Sequence, residues 1–219
     1  MCQMSGYGMG AVGQVEPMCL INQAMPKIKM DNRPTGTRTC LYNTLQLRPV
    51  IEQMADQAFA LVGNRKLLAV VGILRRGAPL ADRLTEAIVS RHGITQPLRL
   101  DLSVKRYADD LSLLYPETRL TENAQHASLS LDGYTLLVVD DVLYTGYSML
   151  KVVEYLTHKK PTEIFTATLV DRVANRVPIR SSVVGVQLRV SPGDIIECNV
   201  PPYESDFKIE LLQPDTKHP

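Results

Sequence analysis

The chain has 219 residues, 45% of them hydrophobic and 21% charged, which suits a soluble globular protein with one sizeable core. A formal net charge of +1 supplies no global field to recruit nucleic acid or an anionic membrane. Four cysteines without a CxxC pair argue against a zinc site or a disulfide framework and for a reducing cytoplasm; there is no apolar run of membrane-spanning length and no signal-peptide pattern at the N-terminus.

Residues 1–42 are rich in Gly, Met, Pro, Asn and Gln and lack apolar periodicity, which predicts an extended or mobile leader. A single domain is expected over 43–219. Val50, Ile51, Met54, Ala55, Ala58, Leu61 and Val62 recur at helical spacing, with Asn64 as the expected end. The apolar run at 67–73 suits a buried strand. Pro79, Leu80, Leu84, Ala87 and Ile88 mark a second helix ended by Gly93, and residues 98–104 alternate as a strand. Residues 107–131 read as a long polar loop. Thr135 to Val139 is the most strand-like run in the chain. A turn at 142–146 and a helix through Met149, Leu150, Val153 and Leu156 follow it. Glu163 to Val170 is another strand, and short strands broken by prolines follow Asp171. Strands alternating with helices predict an α/β fold with a central parallel sheet, whose ligands sit beyond the carboxyl ends of the strands.

The chemistry concentrates in Leu136-Leu137-Val138-Val139-Asp140-Asp141-Val142-Leu143-Tyr144-Thr145-Gly146-Tyr147-Ser148. An apolar strand ends at two carboxylates, and a short loop then opens a helix. Free amides at a helix start favour an anion, Gly146 lets the backbone approach it closely, and the hydroxyls of Thr145 and Ser148 can donate to phosphate oxygens. Asp140 and Asp141 cannot bind phosphate directly; they can accept from sugar hydroxyls or hold a hard cation through water. A phosphate site beside a diol site describes a ribose 5-phosphate. Taken alone, an Asp-Asp pair after a strand is more often a solvated turn with a helix cap.

Two further segments support this reading. Val71-Gly72-Ile73-Leu74-Arg75-Arg76-Gly77 follows the first strand as a tight strand-to-helix turn, and guanidinium forks there suit pyrophosphate. Arg106-Tyr107-Ala108-Asp109-Asp110-Leu111 opens the long polar loop.

The thirteen-residue pattern at 136–148 resembles the ribose-phosphate motif of type I phosphoribosyltransferases, and Asp-Asp-Val-Leu-Tyr-Thr-Gly is similar to the version in the PyrR family. Members of that family attenuate pyrimidine operons and often act as uracil phosphoribosyltransferases. The resemblance spans residues 45–212 and implies that fold: a central parallel sheet flanked by helices, with a small β-rich hood. It implies transfer of a ribosyl 5-phosphate from 5-phosphoribosyl 1-pyrophosphate to uracil, with Asp140, Asp141 and Arg76 catalytic and Mg2+ held at Asp140 and Asp141. Leu143, Tyr144, Thr145, Gly146, Tyr147 and Ser148 would bind the 5'-phosphate. Arg75, Arg76 and Gly77 would form the pyrophosphate loop, which commonly holds a strained or cis peptide. Tyr107, Asp109 and Asp110 would lie on a mobile flap, and Asp171, Arg172 and Ile179 would serve the base. Purine-type relatives usually carry an acidic residue where Tyr144 stands, which argues against a purine base. A homodimer or homotetramer is implied as well.

Two positions depart from the family: Tyr147 and Ala108 each stand where Arg is usual. Each lost charge-assisted contact costs on the order of 1.5–3 kcal/mol of binding. An RNA-binding regulator is the second reading, with Arg172, Arg176, Arg180 and Arg189 as its basic patch. It ranks lower because Gln53, Asp56 and Gln57 occupy the region where the regulators carry a basic, His-containing helix start. A third reading is a catalytically weak relative that only senses the sugar pyrophosphate. Neither GxGxxG nor GxxxxGK[ST] follows any predicted strand, which disfavours a nucleotide-binding Rossmann enzyme.

Overall fold

The continuous apolar runs become the centre of a sheet. The computed structural model describes residues 34–105, 119–122 and 129–215. Its elements, in chain order, are β1 (Gly36–Tyr42), α1 (Thr44–Val62), β2 (Leu68–Leu74), α2 (Gly77–His92), β3 (Leu98–Lys105), β4 (Arg119–Glu122), β5 (Thr135–Leu143), α3 (Tyr147–Thr157), β6 (Glu163–Asp171), β7 (Val183–Gln187), β8 (Ile195–Asn199) and β9 (Lys208–Pro214). The main sheet runs β4-β3-β2-β5-β6-β7; β3, β2, β5, β6 and β7 are parallel, and β4 pairs antiparallel with β3. A smaller antiparallel sheet, β1-β9-β8, forms the hood.

Both faces of the main sheet are covered, which is why β2 and β5 read as unbroken apolar runs. On one face, Leu47, Met54 and Ala58 of α1 and Leu80, Leu84 and Ile88 of α2 pack against Val70, Leu137 and Val139. On the other, Met149, Val152 and Leu156 of α3 pack against Val71, Leu136 and Val138. Helix α1 opens on a capping box, in which the Asn43 side chain accepts from the Gln46 amide and the Gln46 side chain accepts from the Asn43 amide. It ends at Gly63, where φ is 60°, one residue before the expected Asn64. Among the described residues, no helix is long and apolar enough to cross a membrane.

Three expectations need revision. Residues 36–42, placed in the leader on composition, are strand β1, whose partner β9 lies at the far end of the sequence. Strand β5 does not stop at Val139 but pairs with β6 as far as Leu143, so the turn is only residues 144–146. The polar stretch at 107–131 holds strand β4; residues 106–118 and 123–128 lie outside the described residues.

Candidate active site

Successive strands run outward in opposite directions from the adjacent pair β2 and β5, so the topology switches between them. This is where open α/β sheets bind ligands. The segments after β2 and β5 therefore open side by side at the carboxyl edge. The Leu74–Arg75 peptide is cis, as the family resemblance implies for this loop. Gly77 lies so close to β5 that a Cβ would stand 2.7 Å from the Val139 carbonyl oxygen and 3.3 Å from Asp140 Oδ1.

Asp140 and Asp141 sit partly buried near the end of β5. Oδ1 of Asp140 accepts from the Asp141 amide at 2.9 Å. Burial, and then the neighbouring Asp141 charge, push the Asp140 carboxyl well above the ordinary carboxylate range. Burial also raises Asp141, opposed chiefly by the Arg76 charge. For Arg76, burial is outweighed by the hydrogen bond it donates to Glu204 and by the Asp141 and Glu204 charges, so its guanidinium is held firmly cationic.

The turn at 144–146 delivers the chain into α3. Gly146 is its N-cap at φ 86°, a left-handed conformation that favours glycine, and no side chain caps this end. The first helical bond comes from the Leu150 amide to the Gly146 carbonyl at 2.9 Å, so the Ser148 and Met149 amides precede the intrahelical ladder. Amides so placed at a helix start can take an anion, and Thr145 and Ser148 supply hydroxyls in the same segment. The segment after β6 braces the turn from below: the Arg172 amide donates to the Leu143 carbonyl at 3.0 Å and the Arg176 amide to the Thr145 carbonyl at 2.9 Å. A Cβ at Gly146 would lie 2.8 Å from Val177 Cγ2.

Beside this turn lies a cleft of about 410 Å³, lined by Arg76, Asp141, Tyr144, Arg172 and Asp194, with Val142, Ile195 and Ile196 as apolar walls. The Arg172 guanidinium lies 4.1 Å from the centroid of the Tyr144 ring, and Nη2 donates to the Ser191 carbonyl at 3.5 Å. Of the three residues expected to serve the base, only Arg172 lines this cleft. Asp171 Oδ1 accepts from the Val173 amide at 2.7 Å, fixing a turn in which Val173 has φ 54°; Ile179 packs instead toward Gly146 and the α3 side of the core. Arg172 is only 8% exposed, so it lies beneath the surface and not in a basic patch with the exposed Arg176, Arg180 and Arg189.

Tyr107, Asp109 and Asp110, expected on a flap, lie outside the described residues. The structure adds residues that sequence reading missed. Glu204 binds Arg76, Tyr203 lies under Arg75, Asp194 lines the cleft, and the buried Cys198 thiol donates to the Asp141 carbonyl at 3.9 Å. Burial, then the Asp141 charge, raises the Cys198 thiol well above its ordinary range, so it stands there neutral. No local motif marks these residues; hood pairing alone brings them to the edge of the main sheet.

Comparison with known proteins agrees with this geometry. The family model for the phosphoribosyl transferase domain matches residues 39–206. The bifunctional protein PyrR of Caldicellulosiruptor bescii is 34% identical over 171 residues, covering 78% of this chain and 92% of that protein. The bifunctional protein PyrR of Thermus aquaticus is 30% identical over 176 residues, covering 79% and 94%. Among solved structures, the hypoxanthine phosphoribosyltransferase of Trypanosoma cruzi aligns with a TM-score of 0.62 at 16% identity, covering 81% of this chain and 97% of its own, which is a likeness of fold.

Proposed function

The chain belongs to the phosphoribosyltransferase family, within its PyrR branch, and from that premise we propose that it joins uracil to the ribosyl 5-phosphate of 5-phosphoribosyl 1-pyrophosphate, giving UMP and pyrophosphate. The observation that carries the proposal is the pairing at one sheet edge of an uncapped helix start behind Gly146 with the carboxylates of Asp140 and Asp141 and the guanidinium of Arg76.

In this reading the α3 amides and the Thr145 and Ser148 hydroxyls hold the 5'-phosphate, while Asp140 and Asp141 accept from the ribose hydroxyls. Arg75 and Arg76 grip the pyrophosphate. As the bond from C1 to pyrophosphate breaks, C1 gains positive character, and the two carboxylates stabilise it electrostatically. A ring nitrogen of uracil attacks from the opposite side, losing its proton to solvent or to the departing pyrophosphate as the new bond forms, with inversion at C1. Arg172 and Asp194 offer a donor and an acceptor to the base between the walls formed by Ile195 and Ile196. Tyr144 stands where a purine-type site would carry an acid.

Magnesium fits this site as a shared ion. Among the described residues no group of three or more His, Cys, Asp or Glu could cage a metal, whereas Asp140 and Asp141 are two neighbouring carboxylates that burial leaves short of counter-charge. Magnesium is commonly held by one or two carboxylates plus substrate phosphates. Bound there, it would neutralise charge on the departing pyrophosphate.

The test is product formation from the sugar pyrophosphate, magnesium and a panel of bases. Uracil is expected to be the substrate, and Asp140→Asn with Asp141→Asn to abolish turnover. Full activity in that double variant, or turnover with purines alone, contradicts the assignment. The name of the relatives, bifunctional, keeps RNA regulation as a second reading. Exposed Arg176, Arg180 and Arg189 are what favours it, and a salt-sensitive shift with pyrimidine leader RNA but not with control RNA would establish it. A homodimer or homotetramer is part of the same proposal and is checked by light scattering.

A further inference from the structure

The turn at 200–206, between β8 and β9, touches both arginines of the segment after β2. Tyr203 lies with its ring centroid 5.2 Å from the Arg75 guanidinium. Glu204 divides its carboxylate between two tasks. Its Oε2 accepts from the Val200 amide at 2.9 Å, within the same turn. Its Oε1 accepts from both Nε, at 3.0 Å, and Nη2 of Arg76. The Glu204 side chain is only 9% exposed, so its own rotamer is fixed by the hood before any ligand arrives.

A guanidinium presents its N–H groups in a rigid planar fork. Glu204 occupies the Nε–Nη2 edge of Arg76, and among the described residues Nη1 makes no hydrogen bond. Arg76 lines the cleft with Asp141, while Glu204 does not line it. The carboxylate is thus used up on one edge of the fork, away from the place a polyanion would enter.

We infer that Glu204 is a positioning residue, holding the Nε–Nη2 edge of Arg76 so that the Nη1 edge meets the pyrophosphate of the sugar substrate. This rests on the functional reading above and adds a residue to it. A long, flexible arginine loses its rotamer freedom when it grips a phosphate, and a fixed carboxylate removes that cost in advance. The benefit falls on the pyrophosphate and not on the 5'-phosphate or the base. The hood therefore takes part in substrate binding from its β8–β9 turn as well as in covering the cleft.

Calorimetric binding to the full chain, in the presence of magnesium, tests the inference with two ligands: 5-phosphoribosyl 1-pyrophosphate and UMP, which lacks the pyrophosphate. Glu204→Ala is expected to weaken the first about tenfold and leave the second unchanged, because misplacing one contact group acts only on the ligand it serves. Glu204→Gln, which keeps the size and one acceptor, is expected to fall between. In an Arg76→Ala background, Glu204→Ala is expected to change nothing further. Equal losses for both ligands, additive losses in the double variant, or tighter binding of the sugar pyrophosphate by Glu204→Ala would overturn the inference. If the wild-type chain binds neither ligand, the functional reading fails and takes this inference with it. If it binds both and the variants match it, the inference alone fails.

Discussion

Gly77 and Asp140 meet backbone to backbone: a Cβ on Gly77 would stand 3.1 Å from the Asp140 Cα and 2.7 Å from the preceding carbonyl oxygen. The first residue of α2 thereby keys the arginine segment onto the strand that carries the acids. Gly77→Ala must push the two apart, at a cost of about 1–3 kcal/mol for overpacking. Urea unfolding is expected to show that loss, with turnover falling further than stability because Arg76 and Asp141 separate. An alanine variant with wild-type stability and turnover would show that the contact is unimportant.

Gly146→Ala tests the proposed phosphate cradle. The residue has φ 86°, and the added methyl would meet Val177 Cγ2 at 2.8 Å. The left-handed conformation alone costs about 1–2 kcal/mol for a residue with a Cβ. Thermal unfolding is expected to report that cost. Affinity for 5-phosphoribosyl 1-pyrophosphate is expected to drop by more than tenfold as the turn shifts away from its amides.

Asp140 ties stability to pH. Its folded carboxyl is held well above the ordinary range, by burial first and the Asp141 charge second. A group raised in this way favours the folded state fully at pH below its unfolded value, and that contribution is lost as pH rises through the folded value. At neutral pH the free protein therefore carries a penalty, and Asp140→Asn is expected to raise its stability by about 1 kcal/mol while lowering turnover. The stabilisation is expected to shrink as the pH falls, in parallel urea titrations. A pH-independent difference would show that charge is not its cause.

The parts of this site legible in the sequence are those built from consecutive residues. The strand that ends in Asp140 and Asp141, the glycine of the turn and the Arg-Arg-Gly segment each announce themselves by residue type and local order. Glu204 could not be found that way. It lies 128 residues from Arg76, on a turn between two short hood strands, and only the β8–β9 pairing aims it at the main sheet. Strand β1 was hidden for the same reason. All seven of its residues are exposed or half-buried, so no apolar alternation marks it, and its partner β9 lies at the other end of the chain. The continuation of β5 through Asp140 and Asp141 was missed because two adjacent acids read as a turn. In the fold, β6 pairs on both sides of Asp141, through Asp140 and Val142, and Arg76 supplies opposing charge.

Tyr147 offers a gain-of-function test. It opens α3 at 37% exposure, where the family usually has arginine. A guanidinium there opposes the helix dipole by about 0.3–1 kcal/mol, less than the roughly 1.5–3 kcal/mol of a charge-assisted bond to phosphate. Tyr147→Arg is expected to lower KM for the sugar pyrophosphate several-fold with a small loss of thermal stability.

Arg172 tests the proposed base site apart from the sugar site. Arg172→Met keeps the packing of the stem but removes the guanidinium over Tyr144. KM for uracil is expected to rise about tenfold or more, as for loss of one charged hydrogen bond, while KM for the sugar pyrophosphate holds. Equal rises in both would assign Arg172 to bracing the turn.

The central claim is that the amides behind Gly146 grip a 5'-phosphate, and calorimetry with UMP and uridine compares that grip with its absence. The account predicts saturable one-to-one binding of UMP, much weaker binding of uridine, and loss of that difference in Gly146→Ala. Equal affinity for the two ligands, or an undiminished preference for UMP in the variant, would contradict it.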